Sequence, residues 1–154
     1  MISLKGKTAI VTGASRGIGA ATVRKLSDLG ANVFFTYKSS PDNAAALSNE
    51  TGATPILCDQ SDGVKIEKTV DEIFAQTGSI DILVNNAGIT KDGFFMIMPC
   101  DDWNCVLETN LNGAFRWTKC VARKMYAQRR GAIIFVSSVS GLVGVAGQTN
   151  YAAS

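Results

Sequence analysis

The strongest constraint on this chain is an alternation of short apolar runs with longer amphipathic ones, and a glycine-rich turn sits at the first junction. The apolar runs Thr8–Val11, Asn32–Thr36, Thr54–Cys58, Ile82–Asn85 and Ala132–Ser137 read as strands. Helical stretches lie between them, near Ile18–Leu29, Asp42–Thr51, Asp62–Gln76 and, as one long helix, Asp101–Gln128. Ile66, Val70, Ile73 and Phe74 mark the buried face of the third. Strand and helix in turn predict an α/β fold, a parallel sheet with helices on both faces. Right-handed crossovers through five strands make it one doubly wound sheet, with ligands expected at the carboxyl ends of the strands.

Composition narrows the chemistry. The 154 residues are 46% hydrophobic and 18% charged, with a formal net charge of +2 and no internal repeat or linker, so residues 1–154 read as one domain. A chain of this length buries roughly 68–70% of its unfolded surface. No apolar run approaches the roughly 20 residues of a membrane span, and the N-terminus runs into a strand without a signal-peptide core, which predicts a cytoplasmic protein with no membrane partner. A slight positive balance without a basic tract gives no argument for nucleic acid. The four cysteines, Cys58, Cys100, Cys105 and Cys120, lack CxxC spacing and read as reduced thiols. The absence of histidine removes Ser-His and Cys-His hydrolases and argues against a zinc site. Any general acid or base must then be Tyr, Lys, Asp or Glu.

At the first strand end stands TGASRGIG, Thr12 to Gly19. Gly13, Gly17 and Gly19 allow a tight bend and close approach of backbone to a pyrophosphate at a helix N-terminus. The spacing is G-x-x-x-G-x-G, and Ser15, Arg16 and Ile18 complete the candidate cradle. About twenty residues on, a carboxylate would normally accept from the adenosine ribose of NAD. Thr36, Tyr37 and Lys38 stand there instead, and Arg16 with Lys38 can neutralise a 2′-phosphate, so the expected cofactor is NADP(H). The competing reading makes both cations solvated surface charges. Asp59, ending the third strand, is a candidate acceptor for the adenine amino group, with a turn-capping role as its rival.

Four motifs in this order resemble the short-chain dehydrogenase/reductase family, and within it the 3-oxoacyl-(acyl carrier protein) reductases of fatty acid biosynthesis. They are TGASRGIG, DILVNNAGIT (Asp81 to Thr90), the ETN of Glu108 to Asn110, and SSVSG…GQTNYAAS ending at Ser154. The resemblance runs from Lys5 to Ser154 and implies a Rossmann-like fold. It also implies an oxidoreductase with cofactor contacts at Asn86, Ala87, Gly88 and Tyr151, and a catalytic group of Asn110, Ser138 and Tyr151. Its fourth catalytic member is a lysine four residues after the tyrosine.

Physical chemistry agrees with that assignment. Ketone reduction needs a hydride and a proton for the developing alkoxide, and a tyrosine hydroxyl can supply the proton. An ordinary tyrosine pKa of about 10 makes a neighbouring cation necessary for ready proton exchange, which is the lysine's task. In the family Ser138 would bond the substrate carbonyl and Asn110 would hold a relay water. Blander roles compete: a turn for Ser138 beside Ser137 and Ser140, and aromatic packing for Tyr151. Asn110 inside a helical run is unfavourable by propensity, which points to another task.

The resemblance implies reduction of a 3-oxoacyl thioester, linked to acyl carrier protein or coenzyme A. Phe94, Phe95 and Met96 are expected to line an apolar entrance, and Arg129 with Arg130 to meet the acidic carrier. Pairing with a helix C-terminus is the rival role for the two arginines. The long fourth helix resembles the one with which family members form dimers and tetramers, so a homo-oligomer, specifically a homotetramer, is expected. The family lysine, its substrate loop and its last two strands would all fall after Ser154. The expected fold is therefore truncated after strand five, and the competence of these 154 residues alone stays open. Alternatives are another short-chain alcohol or ketone dehydrogenase and a non-catalytic nucleotide-binding fragment.

Overall fold

Five parallel strands in the order β3-β2-β1-β4-β5 form the sheet. The computed structural model describes residues 2–154. The strands are β1 (Thr8–Val11), β2 (Asn32–Tyr37), β3 (Thr54–Leu57), β4 (Ile82–Asn85) and β5 (Ala132–Phe135). Central β1 pairs Val11 with Phe35 of β2 on one side and with Val84 of β4 on the other. All four of its residues are buried, as a strand covered on both faces requires. The chain first builds outward through β2 and β3, then returns to the far side of β1 for β4 and β5. The order reverses between β1 and β4, and a doubly wound sheet places its ligand crevice at the carboxyl ends of the strands at such a point.

The pleat sends alternate side chains of β1 into two separate cores. Ala9 and Val11 pack with Phe35, Val84 and the apolar faces of α1 (Gly17–Asp28) and α2 (Pro41–Thr51), through Val23, Ala44 and Leu47. Ile10 faces the other way, toward Phe34, Leu83, Ile66, Val70 and Ile73 of α3 (Gly63–Thr77), and Trp117 and Val121 of the helix Gly113–Gln128. The periodicity of the third helix is thus realised, with Phe74 packed at the margin. Asp62 caps α3 by accepting from the Lys65 N–H at 2.9 Å, and left-handed Gly52 and Gly78 end α2 and α3.

The predicted single helix Asp101–Gln128 has internal structure. It runs as α4 (Cys100–Leu107), a π-helical turn (Glu108–Asn112) and α5 (Gly113–Gln128). A π turn admits one extra residue and re-aims the side chains within it, and Asn110 stands at its middle. Beyond β5 the chain forms two short helices, α6 (Ser140–Val143) and α7 (Thr149–Ala153). Strand β5 is two residues shorter than its apolar run, and its residues Ile134 and Phe135 are largely exposed.

Candidate functional site

The site grows from the carboxyl ends of β1 and β4, where two loops are stitched together. Thr12, fully buried, accepts at its hydroxyl from the N–H groups of Asn86 and Ala87, both at 3.0 Å. Asn86 answers by donating its amide to the carbonyls of Thr12 and Gly13, at 2.9 and 3.0 Å. The Gly13 N–H donates to the Thr36 hydroxyl at 3.0 Å, which ties the same turn to β2. Thr12 and Thr36 were not singled out by sequence. Their signal is a hydroxyl at a strand end beside a glycine turn, where it can satisfy backbone groups that leave the sheet.

The glycines of the turn are there for distinct reasons. Gly13 has φ +61°, and a Cβ on it would lie 2.6 Å from the Cα of Ala87. A Cβ on Gly19 would lie 2.5 Å from the Asn86 amide nitrogen. Both permit close packing of turn against loop. Gly17, at φ +59°, has open space where its Cβ would point. Above it the N-terminus of α1 carries no side-chain cap, Arg16 is extended, and Arg16 and Ile18 are exposed. Uncapped N–H groups on a helix whose approach is free of side chains suit the pyrophosphate of a dinucleotide. Ser15, Arg16, Gly17, Ile18 and Gly19 therefore fit such a cofactor, with Ala87 and Gly88 across the crevice.

At the β2 and β3 ends, Tyr37 is half-buried, and the Lys38 ammonium sits 2.7 Å from one carboxylate oxygen of Asp59. The other oxygen accepts from the Ser61 N–H at 3.0 Å and the Ser61 hydroxyl at 2.9 Å. Asp59 thus caps a turn and holds Lys38. Burial alone would raise its carboxyl, but the Lys38 ammonium and the two Ser61 donors outweigh it and hold the group below the usual range.

The loop after β4 is clamped from the helical side. Asn110 accepts from the Ile89 N–H at 2.8 Å and donates to the Ile89 carbonyl at 3.0 Å, so the π turn grips both polar groups of one residue. The same amide donates to the Ser154 hydroxyl at 2.9 Å, which in turn donates to the Tyr151 carbonyl. Ser138 donates to the Ser140 hydroxyl at 3.3 Å and accepts from the Ser140 N–H. Ser140 donates to the side-chain carbonyl of Gln148, whose amide reaches Asp92 at 3.1 Å. Asn150, fully buried, donates to the Lys91 carbonyl at 2.9 Å. These bonds draw α6, α7 and the loop 86–93 together beside the crevice. Ser138 and Tyr151 lie on this gathered segment with no direct bond to each other, and Tyr151 is half-buried. Gln148, Asp92 and Asn150 are supports that spacing alone could not show, because their partners are distant in sequence.

Phe94, Phe95 and Met96 stand exposed on the same side, Met96 at 93%, where the Gly93 N–H meets the Gly147 carbonyl. The two arginines lie at the opposite end. Arg129 and Arg130 precede β5, at the amino ends of the strands, and Arg130 pairs with Asp81 at 3.0 Å. Arg129 closes α5 in the left-handed conformation, φ 55°.

A sequence profile described as short chain dehydrogenase matches residues 7–154. The chain belongs to that family. Among curated short-chain dehydrogenases, it is 44% identical over 155 residues to the 3-oxoacyl-(acyl-carrier-protein) reductase FabG of Escherichia coli (strain K12), covering 99% of this chain and 63% of that one. It is 47% identical to the enzyme of the same name from Vibrio harveyi, again over 99% of this chain and 63% of the relative. With that of Staphylococcus epidermidis (strain RP62A) the identity is 42%, over 96% of this chain and 63% of the relative. The chain thus spans somewhat less than two thirds of the length of these relatives.

Proposed function

We propose that this short-chain dehydrogenase domain serves the NADP(H)-dependent reduction of a 3-oxoacyl thioester, carried on acyl carrier protein or coenzyme A, to the 3-hydroxyacyl thioester. The observation that carries the reading is the gathering of α6, α7 and the Asn110 clamp around the loop 86–93, next to the uncapped glycine cradle. Relatives named as 3-oxoacyl-(acyl-carrier-protein) reductases support the substrate class. When bound, the nicotinamide supplies a hydride to the carbonyl carbon.

The groups of residues 1–154 bind and orient the reactants, and the proton step calls in addition for the lysine that the family places four residues after Tyr151. Gly13, Gly17 and Gly19, with Ser15, Arg16 and Ile18, receive the pyrophosphate and adenosine end, and Asn86, Ala87 and Gly88 form the opposite wall. Asp59 receives the adenine, and Arg16 is the cation that meets the 2′-phosphate, with Tyr37 and Lys38 beside it. The Ser138 hydroxyl turns from Ser140 to donate to the substrate oxygen, whose charge grows as the carbonyl is reduced. The Tyr151 hydroxyl delivers the proton to that oxygen. Asn110 holds the Ile89 backbone so that the loop keeps its distance from both.

Phe94, Phe95 and Met96 offer apolar surface to an acyl chain near the site. The reading extends to a homo-oligomer, a homotetramer, through the α4–α5 side, where Leu111 and Phe115 are exposed. It extends also to carrier-protein contact through Arg129, and more weakly through Arg130, whose charge Asp81 already occupies. A cytoplasmic location belongs to the same reading. Among the described residues no helix is long and apolar enough to cross a membrane.

The test is NADPH oxidation with a 3-oxoacyl thioester, made on the natural gene product after its intact mass has been measured. Tyr151→Phe lowers turnover by roughly 10²–10⁴-fold, the usual range for a lost general acid, and leaves the NADPH dissociation constant within about twofold. Undiminished turnover in that variant overturns the mechanism.

A further inference from the structure

The two residues read from sequence as separate cofactor contacts, Lys38 and Asp59, are bonded to each other. Their elements explain why. Strands β2 and β3 pair in register up to Tyr37 and Leu57, and the Cys58 N–H extends the ladder to the Tyr37 carbonyl at 2.9 Å. The next residue on each strand, Lys38 and Asp59, is thereby delivered to the same corner of the sheet. Asp59 cannot readily turn elsewhere, because Ser61 holds its second oxygen with two donors. Lys38 is the less constrained partner, a long side chain that is two-thirds exposed. Arg16, on the neighbouring glycine turn, forms no ion pair among the described residues. The ion pair at this corner thus joins Asp59 to Lys38, and Arg16 stands outside it.

We propose that Asp59 is a specificity-determining residue that acts through Lys38: it pins the ammonium at the β3 side of the crevice and so keeps it from the 2′-phosphate. This inference rests on the NADP(H) reading above and deepens it. Arg16 then meets the phosphate alone, and the preference for NADP(H) over NAD(H) is smaller than two free cations would give. A neutral amide at position 59 can still accept from Ser61, because Asn retains a side-chain carbonyl. It no longer competes with a phosphate for the lysine, which becomes free to pair with the more highly charged ligand.

The measurement is calorimetric titration of the natural protein with NADP+ and, separately, NAD+. It is made for wild type, Asp59→Asn, Lys38→Met and the double variant. Asp59→Asn tightens NADP+ relative to NAD+ by about two- to fivefold, the scale of an exposed ion pair, because any change at the adenine falls on both dinucleotides alike. The gain disappears in the double variant and shrinks as salt rises. A merely structural role for Asp59 weakens both dinucleotides together. An unchanged NADP+/NAD+ ratio in Asp59→Asn, or a gain that persists without Lys38, overturns the proposal and leaves the cofactor reading standing. Tighter wild-type binding of NAD+ than of NADP+ overturns the cofactor reading itself, and failure to bind either dinucleotide removes both.

Discussion

Two glycines of one turn, both at positive φ, differ in what surrounds them, and that difference separates backbone strain from steric exclusion. An alanine at Gly17 meets open space and suffers only the left-handed backbone, about 1–2 kcal/mol. An alanine at Gly13 suffers the same backbone and in addition drives its Cβ into the Ala87 backbone, which cannot give way as a flexible side chain would. Gly13→Ala is therefore expected to lose about 2–4 kcal/mol in urea unfolding, clearly more than Gly17→Ala. Equal losses would show that packing of the turn on the loop 86–93 contributes nothing. At this scale the glycines were legible from sequence because glycine is the residue such a bend admits. Thr12 was not, since a threonine hydroxyl bonding two N–H groups looks in sequence like any β-branched residue ending a strand.

Between elements, the amino end of the sheet is tied by one carboxylate. Asp81, 6% exposed, accepts from the Thr8 N–H at 3.1 Å and from Ser79 at 3.1 Å, and pairs with Lys7 at 3.3 Å and Arg130 at 3.0 Å. It thus joins β1, β4 and the entry to β5. Burial by itself raises its carboxyl, but the Thr8 N–H, Arg130, Lys7 and Ser79 together hold it below the usual range. A folded-state pKa below the unfolded value of about 3.9 means that the stabilisation is complete at neutral pH and is lost as pH falls through the folded pKa. Asp81→Asn should cost about 1–3 kcal/mol at pH 7, because it takes the counter-charge from Lys7 and Arg130 at the rim of the sheet. The difference from wild type should narrow in urea titrations below about pH 4, and a gap independent of pH would remove the electrostatic account. The five strands and first three helices were legible because their periods, near 2 and 3.6, are local properties. The break in the long helix was not. A π turn at Glu108–Asn112 lets Asn110 grip Ile89, and the 21 residues between them hide that contact from any local pattern. The ETN motif and the poor helix propensity of asparagine marked the position, but neither showed the contact with Ile89.

Across the described residues, 2–154, the distribution of apolar surface is lopsided. One end of the sheet, β3, is short and carries Thr54 and Pro55, which suit an edge. The other end, β5, carries Ile134, Phe135 and Val136, all exposed, with Phe135 at 58%, and Leu142 and Val143 of α6 stand bare nearby. None of the devices that blunt an edge strand, a lysine, a proline or a bulge, is found in Ala132–Phe135. Apolar side chains on an unpaired strand bring both hydrophobic gain and open backbone groups to any second copy, so the 154-residue chain by itself should self-associate at micromolar concentrations. A second apolar patch competes as the cause, the α5 face bearing Phe115, and the two separate by mutation. Phe135→Lys places a charge on the edge strand and should remove open-ended association in sedimentation, leaving a discrete oligomer through the α5 face, with the far-ultraviolet dichroism unchanged. Phe115→Glu should leave the β5-driven association in place. If Phe115→Glu alone yields monomer, the helix face and not the strand edge drives association, and the β5 surface is tolerated in water as it stands.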